Sequence, residues 1–267
     1  MKRWRDALRS PMFTVLGPWL DRCPQDRFPV LEDLDRLVPE GTKSAGGARI
    51  RFVPPGPASK DFDSQYEVRV FRSGEVQTRA DDWHDFFNAL VWLAFPRTKA
   101  VLNRHHVEEM HARRGEALRG TARDVLTLFD EGGVVVACAD ARLAELLRRF
   151  RWKELFWERR ADFIASVRCV VFGHAIYEKA LEPYKGVTAK ALIVDVGASF
   201  FDASPEAQLR SLDARASEYF TAPESLASTR ALSPLPVLGI PGWDPANERA
   251  KYYDDTVQFR AGRTAAR

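Results

Sequence analysis

One stretch leaves this chain few choices. In Trp83-His84-Asp85-Phe86-Phe87-Asn88-Ala89-Leu90-Val91-Trp92-Leu93-Ala94-Phe95-Pro96 every residue after Asn88 up to Phe95 is apolar. A helix that is hydrophobic all round has no side to give to water and must be buried, so the remaining chain has to wrap around it. Asp82 is placed to cap it, Asp85 takes the position of a capping-box acid, and Pro96 stops or redirects it. His84 and Asn88 lie one turn apart on one face, with Asp85 beside them. Polar groups at the mouth of a buried helix need partners, and a ligand is one kind of partner.

The rest reads as smaller pieces. Residues 1–45 are short amphipathic segments broken by prolines, expected as a helical extension packed on the body. Gly46 to Lys60 is loop with a strand near Arg49–Val53. Tyr66–Phe71 carries strand formers, with Glu75–Arg79 returning as its hairpin partner. A helix follows from Thr98 to Arg114, with Lys99, Asn103, His106 and Met110 on one stripe. Asp124–Phe129 and Val134–Cys138, flanking Asp130-Glu131-Gly132-Gly133, read as a second hairpin.

Helices are expected over Ala141–Arg149, Trp152–Arg160 and Leu209–Phe220, and a strand over Ser166–Phe172 running into a helix from Gly173 to Leu181. Thr188–Val196 is a strand or a helix end, Leu235–Asp244 an irregular loop, and 261–267 a disordered tail. The expected architecture over 46–260 is a single α+β domain, a small, mostly antiparallel sheet packed against the buried helix. The strand-to-helix step at Gly173-His174 also suits a βαβ unit, so α/β is the alternative.

Composition excludes more than it selects. Forty basic against thirty-seven acidic residues give a net charge of +3, too small to argue for nucleic acid or an anionic surface. Cys23, Cys138 and Cys169 are odd in number and far apart, which indicates neither a disulfide framework nor a thiolate zinc knuckle. The basic start is interrupted by Asp6, Arg9, Pro11 and Pro18, and no window approaches a membrane span, so a cytoplasmic location is expected. HExxH, GxSxG, the phosphate loop and GxGxxG are all absent, and His84, the first histidine, comes too late for a His…His-Asp…Asp phosphohydrolase.

The remaining candidates are polar residues at the ends of buried elements, where scaffolds hold their chemistry. His84, Asp85, His174 and Glu178 are the expected catalytic groups, with Asn88, Arg97, Lys190 and Asp254 binding substrate. Asp130 and Glu131 belong to the same set, and Arg79 is a further cation. His174 opens a helix, where the dipole disfavours an imidazolium, and Glu178 follows one turn later. His84, His174 and Glu178 would suit a divalent ion such as zinc, manganese or iron(II). The function expected is a metal-assisted or acid–base hydrolase acting on a small anionic substrate.

The competing function is a module for nucleic acid or another anion. Arg148, Arg149, Arg151, Lys153, Arg159 and Arg160 alternate with Phe150, Trp152, Phe156 and Trp157, offering both charge and stacking. An amphipathic segment with core aromatics and snorkelling arginines has the same pattern.

Five stretches, WHDFFNALVWLAFPRTK (83–99), LTLFDEGGVVV (126–136), FGHAIYEKALEPYKGVTAKAL (172–192), LPVLGIPGW (235–243) and YYDDTVQFR (252–260), together resemble a bacterial family known only as a domain of unknown function. The resemblance runs from about Tyr66 to Arg260 and implies a bacterial protein forming one unit over that span. It brings no reaction, ligand or catalytic residue with it.

Overall fold

The structure, a computed structural model, describes residues 4–57, 61–112 and 120–262; the expected tail from 263 onward and positions 113–114 of the expected 98–114 helix lie outside these. Two short helices, α1 (Gly17–Leu20) and α2 (Leu31–Asp35), lie in the N-terminal segment. Then come β1 (Arg51–Val53), α3 (Tyr66–Ser73), β2 (Glu75–Gln77), α4 (Trp83–Ala94) and α5 (Pro96–Ala112). The second half contains α6 (Thr121–Gly132), β3 (Gly133–Cys138), α7 (Ala141–Arg148), α8 (Arg160–Ser166), β4 (Val167–Val171) and α9 (His174–Lys179). It closes with β5 (Thr188–Asp195), α10 (Pro205–Thr221) and β6 (Ser233–Pro236).

The fold is α+β. Its four-stranded sheet has the order β4-β3-β5-β6, and two of the three neighbouring pairs are antiparallel, with β3 and β5 parallel. β3 is buried along its whole length, as its run of three valines requires. β1 and β2 form a separate parallel pair.

α4 is the buried centre that the apolar run demands: every residue from Phe86 to Ala94 is buried. Its entry is capped by Asp82, which accepts from the Asp85 amide at 3.0 Å. Asp85 does not return the expected capping-box bond; its carboxylate accepts from the amide and guanidinium of Arg79. Pro96 redirects the chain into α5, whose first amides, Arg97 N and Thr98 N, donate to buried Asp213 of α10 at 3.1 and 2.9 Å. The N-terminal segment lies on this core through Phe13, which stacks on Phe87 and Tyr177.

Two expected hairpins are helices instead. Tyr66–Phe71 belongs to α3, which ends where Gly74 takes the left-handed conformation (φ 70°) and its amide bonds to Val70 O. A left-handed glycine closes a helix as readily as it turns a hairpin, and a six-residue run cannot separate the two. β2 pairs with β1 rather than folding back. Asp124–Phe129 lies in α6, which buries Val125, Leu126 and Phe129 at helical spacing. Gly132-Gly133 is accordingly a helix-to-strand junction. Part of the expected 235–244 loop is the edge strand β6, where prolines are tolerated because one side needs no ladder donors. Thr188–Val196 resolves as strand.

At the start of α2, Asp33 is buried and accepts from the Val30 amide and the guanidinium groups of Arg27 and Arg36. The Arg27 bond, working against burial, holds its carboxyl below the usual carboxylate range. A depressed folded-state value contributes stability above the unfolded value near 3.8 and loses it as pH falls through the folded one. Asp33→Asn is therefore expected to lower stability at pH 7 but to narrow the gap to wild type below about pH 4, as read by urea melts across pH.

Candidate metal centre

Three helix ends meet at one place. His84 lies in the first turn of α4, His174 opens α9 after its cap residue Gly173, and Glu131 lies in the last turn of α6. The two imidazoles stand edge to face with Nε2 atoms 3.0 Å apart. Glu131 Oε2 lies 3.2 Å from His174 Nε2 and 3.9 Å from His84 Nε2. Three ligand atoms, one from each residue, thus fall within 4.8 Å of one another. Donors bound at 2.0–2.1 Å around a tetrahedral ion are separated by roughly 3.3 Å, and the three distances bracket that spacing.

A carboxylate stands behind each ring. Glu178 Oε2 is 2.9 Å from His84 Nδ1, which places the proton on Nδ1 and leaves Nε2 a lone pair. Asp130 Oδ2 is 4.0 Å from His174 Nδ1, a buried atom with no hydrogen-bond partner. A metal-free hydrogen-bond network gives His174 Nε2 the proton, to share between Glu131 and His84. That choice leaves a bare nitrogen at Nδ1 facing a carboxylate. Moving the proton to Nδ1 removes the conflict and frees both Nε2 lone pairs to converge on a cation. Carboxylate, imidazole, metal is the usual order in such sites.

Behind Asp130 the network goes deeper. Lys99, with only 4% of its side chain exposed, contacts Asp130 Oδ1 at 2.6 Å and Asn88 Oδ1 at 2.9 Å, and lies over the Trp92 ring. Asn88 donates in turn to Tyr66 Oη. Burial pushes the Asp130 carboxyl up, but Lys99 and His174 more than offset it and hold the group below its ordinary value. With the proton on His174 Nε2, Glu131 is lowered chiefly by its hydrogen bond with that ring. The centre opens to solvent on the Glu131 and Glu178 side, where these side chains are 44% and 48% exposed.

The other expected residues are dispersed. Glu178, expected as a ligand, faces the far nitrogen of His84, and Glu131 completes the group of three. Asp85 is engaged by Arg79, and Asn88 orients Lys99. Arg97 is at the opposite end of α4, about 18 Å along a twelve-residue helix. Lys190 lies on β5 opposite Gly133, and Asp254 pairs with Lys153. His106 lines a space of about 10 Å³ beside Trp92, Lys99 and Asp130, room for about one water molecule.

Gly173 allows the close approach. A Cβ there would lie 2.4 Å from Glu131 O and 2.5 Å from Gly133 N, both backbone atoms that cannot step aside. Gly173→Ala is therefore expected to destabilise the fold by about 1–3 kcal/mol and to weaken metal binding by parting His174 from Glu131. Denaturation and metal titration of the variant measure the two effects.

These features define an α+β protein in which three helix ends bring two histidines and a glutamate together. The chain belongs to the family described as "Protein of unknown function (DUF3025)", whose model matches residues 50–263. No curated protein and no solved structure matches it. Among the described residues no helix is long and apolar enough to cross a membrane.

Proposed function

We propose that His84, His174 and Glu131 hold a divalent transition-metal ion, zinc being the best fit to the donors, and that the protein is a metal-assisted hydrolase. The observation that carries this reading is the convergence of two Nε2 atoms and one carboxylate oxygen, with a carboxylate behind each imidazole. Two histidines and a glutamate with a further position open to solvent form a donor set of catalytic sites; structural sites are closed by a fourth protein ligand. A divalent ion held there supplies Lewis acidity, polarising a substrate oxygen and making water nucleophilic at neutral pH. Glu178 orients His84 through a hydrogen bond, Asp130, 4.0 Å from His174 Nδ1, favours a proton there by its charge, and Glu131, ionised at neutral pH, supplies charge. Arg97 is too distant to bind a substrate here, so an anionic group would be met by the ion itself.

The nucleic-acid reading is weaker. Trp152 and Phe156 are buried and stacked on one another. All six basic residues of the 148–160 segment are paired with acids: Arg148 and Arg149 with Glu145, Arg151 with Glu154, Lys153 with Asp254, Arg159 with Asp162, and Arg160 with Glu248.

The test is metal content by mass spectrometry on the purified protein, with hydrolysis of model carboxylate and phosphate esters followed before and after chelation. About one ion per chain, restored after chelation together with ester turnover, is the expected result. Turnover by protein that takes up no metal would instead assign the histidines to acid–base catalysis.

A further inference from the structure

A concave site lies at the far end of α4, away from the histidines. It is a cavity of about 720 Å³ between the N-terminal segment, the α4–α5 corner and the start of α10. That volume is within the range of small-molecule sites, roughly 300–1,000 Å³. Its apolar wall is built by Val15, Trp19, Leu93 and Leu209. Pro18, Pro96 and Pro205 stiffen the rim, since proline has little freedom to lose when a ligand binds.

Two arginines from different helices, Arg97 and Arg210, also line the cavity. Among the described residues neither guanidinium has a carboxylate within ion-pair distance or any hydrogen bond, in contrast to the paired bases of the 148–160 segment. The acids that line the cavity are committed. Asp213 accepts from two amides and the Thr98 hydroxyl in capping α5. Glu206 is held low by hydrogen bonds within its own turn, at its amide and Ser204, ahead of the field of Arg210. The field of Arg97 also reaches Asp213, but neither guanidinium is in an ion pair, and an apolar cleft bordered by two such groups matches a molecule with an apolar body and one oxyanion head.

We propose that this cavity binds a small amphiphilic organic anion, with Arg97 and Arg210 gripping its carboxylate or phosphate and its apolar body lying against Trp19 and Leu209. The site is separate from the histidine centre and does not depend on a metal there.

The experiment is calorimetric titration of the full chain with naphthalene-2-carboxylate, 2-naphthyl phosphate and neutral 2-naphthalenemethanol. At least one anion is expected to bind below about 1 mM, and the alcohol about tenfold or more weakly, as expected for loss of a charge-assisted bond. Which anion binds more tightly identifies the head group. Arg97→Gln/Arg210→Gln, exposed positions whose loss leaves the core intact, should reduce anion binding at least tenfold and leave the alcohol unchanged. His84→Ala should leave both unchanged. Equal binding of alcohol and anions, anion binding indifferent to the double substitution, or no anion binding up to about 5 mM overturns the proposal.

Discussion

Glu131→Gln is expected to lower divalent-metal affinity by more than about a hundredfold, whereas Glu178→Gln lowers it by about ten- to a hundredfold. The two glutamates differ in which nitrogen they face. Glu131 Oε2 lies on the Nε2 side of both rings, where a neutral amide oxygen would lose the charge that a dication needs. Glu178 contacts His84 at Nδ1, and a glutamine oxygen there still accepts the proton and preserves the tautomer. Both side chains are substantially exposed, so neither substitution threatens the fold and affinity can be read directly by competition with a chromophoric chelator. The reverse order would make Glu178 the ligand and Glu131 its support. Loss of less than about threefold in both variants would remove the metal centre from the molecule.

What the sequence disclosed about this site follows from how local each feature is. α4 was legible because a run apolar on every side has one solution. His174 at the head of α9 was legible because a strand, a glycine and a helix start are contiguous. The meeting of the two histidines is a product of helix packing, and no spacing in the chain encodes it. Glu131 is among the polar candidates, but the hairpin expected over 124–138 puts it in a turn, whereas it lies in the last turn of α6. With 124–132 read as a helix, Asp130 and Glu131 become two acids in a last turn, where the dipole disfavours them. That local conflict was the available signal, since rules are broken most often where function demands it. Lys99, Asn103 and His106 share a stripe that helical spacing sets apart from the better solvated Arg104, Glu108 and Glu109, and all three are buried; their partners on other elements are what the spacing leaves out. In the Arg-aromatic segment the amphipathic reading holds: Glu145, Glu154 and Asp162 are local partners that the sequence displays, whereas Asp254 and Glu248, which pair with Lys153 and Arg160, lie about a hundred residues downstream, beyond any window.

The conflict at Asp130 leads to the largest stability effect expected here. Lys99→Met should cost about 3–5 kcal/mol, the usual penalty for removing one member of a buried ion pair. Methionine keeps the apolar stem and puts a thioether in place of the cation over Trp92, so the loss is that of the charge and its bonds to Asp130 and Asn88 and not a packing defect. Asp130 would keep its burial and the unfavourable helix end while losing the cation that holds its carboxyl low. The pH dependence should then weaken. In the wild type the depressed carboxyl contributes stability above its unfolded value near 3.8 and loses it on acidification. In Lys99→Met, burial works against the fields of His174 and His106 alone, so the carboxyl is held down less and contributes less at neutral pH. The gap between the two proteins should therefore close as pH falls. Lys99→Met/Asp130→Asn removes both charges together, and should recover part of the loss and flatten the pH response, a coupling that a double-mutant cycle measures. A single-variant loss below about 1 kcal/mol at pH 7 would show that water already reaches Asp130. In that case Lys99 would not be what holds the carboxylate behind His174.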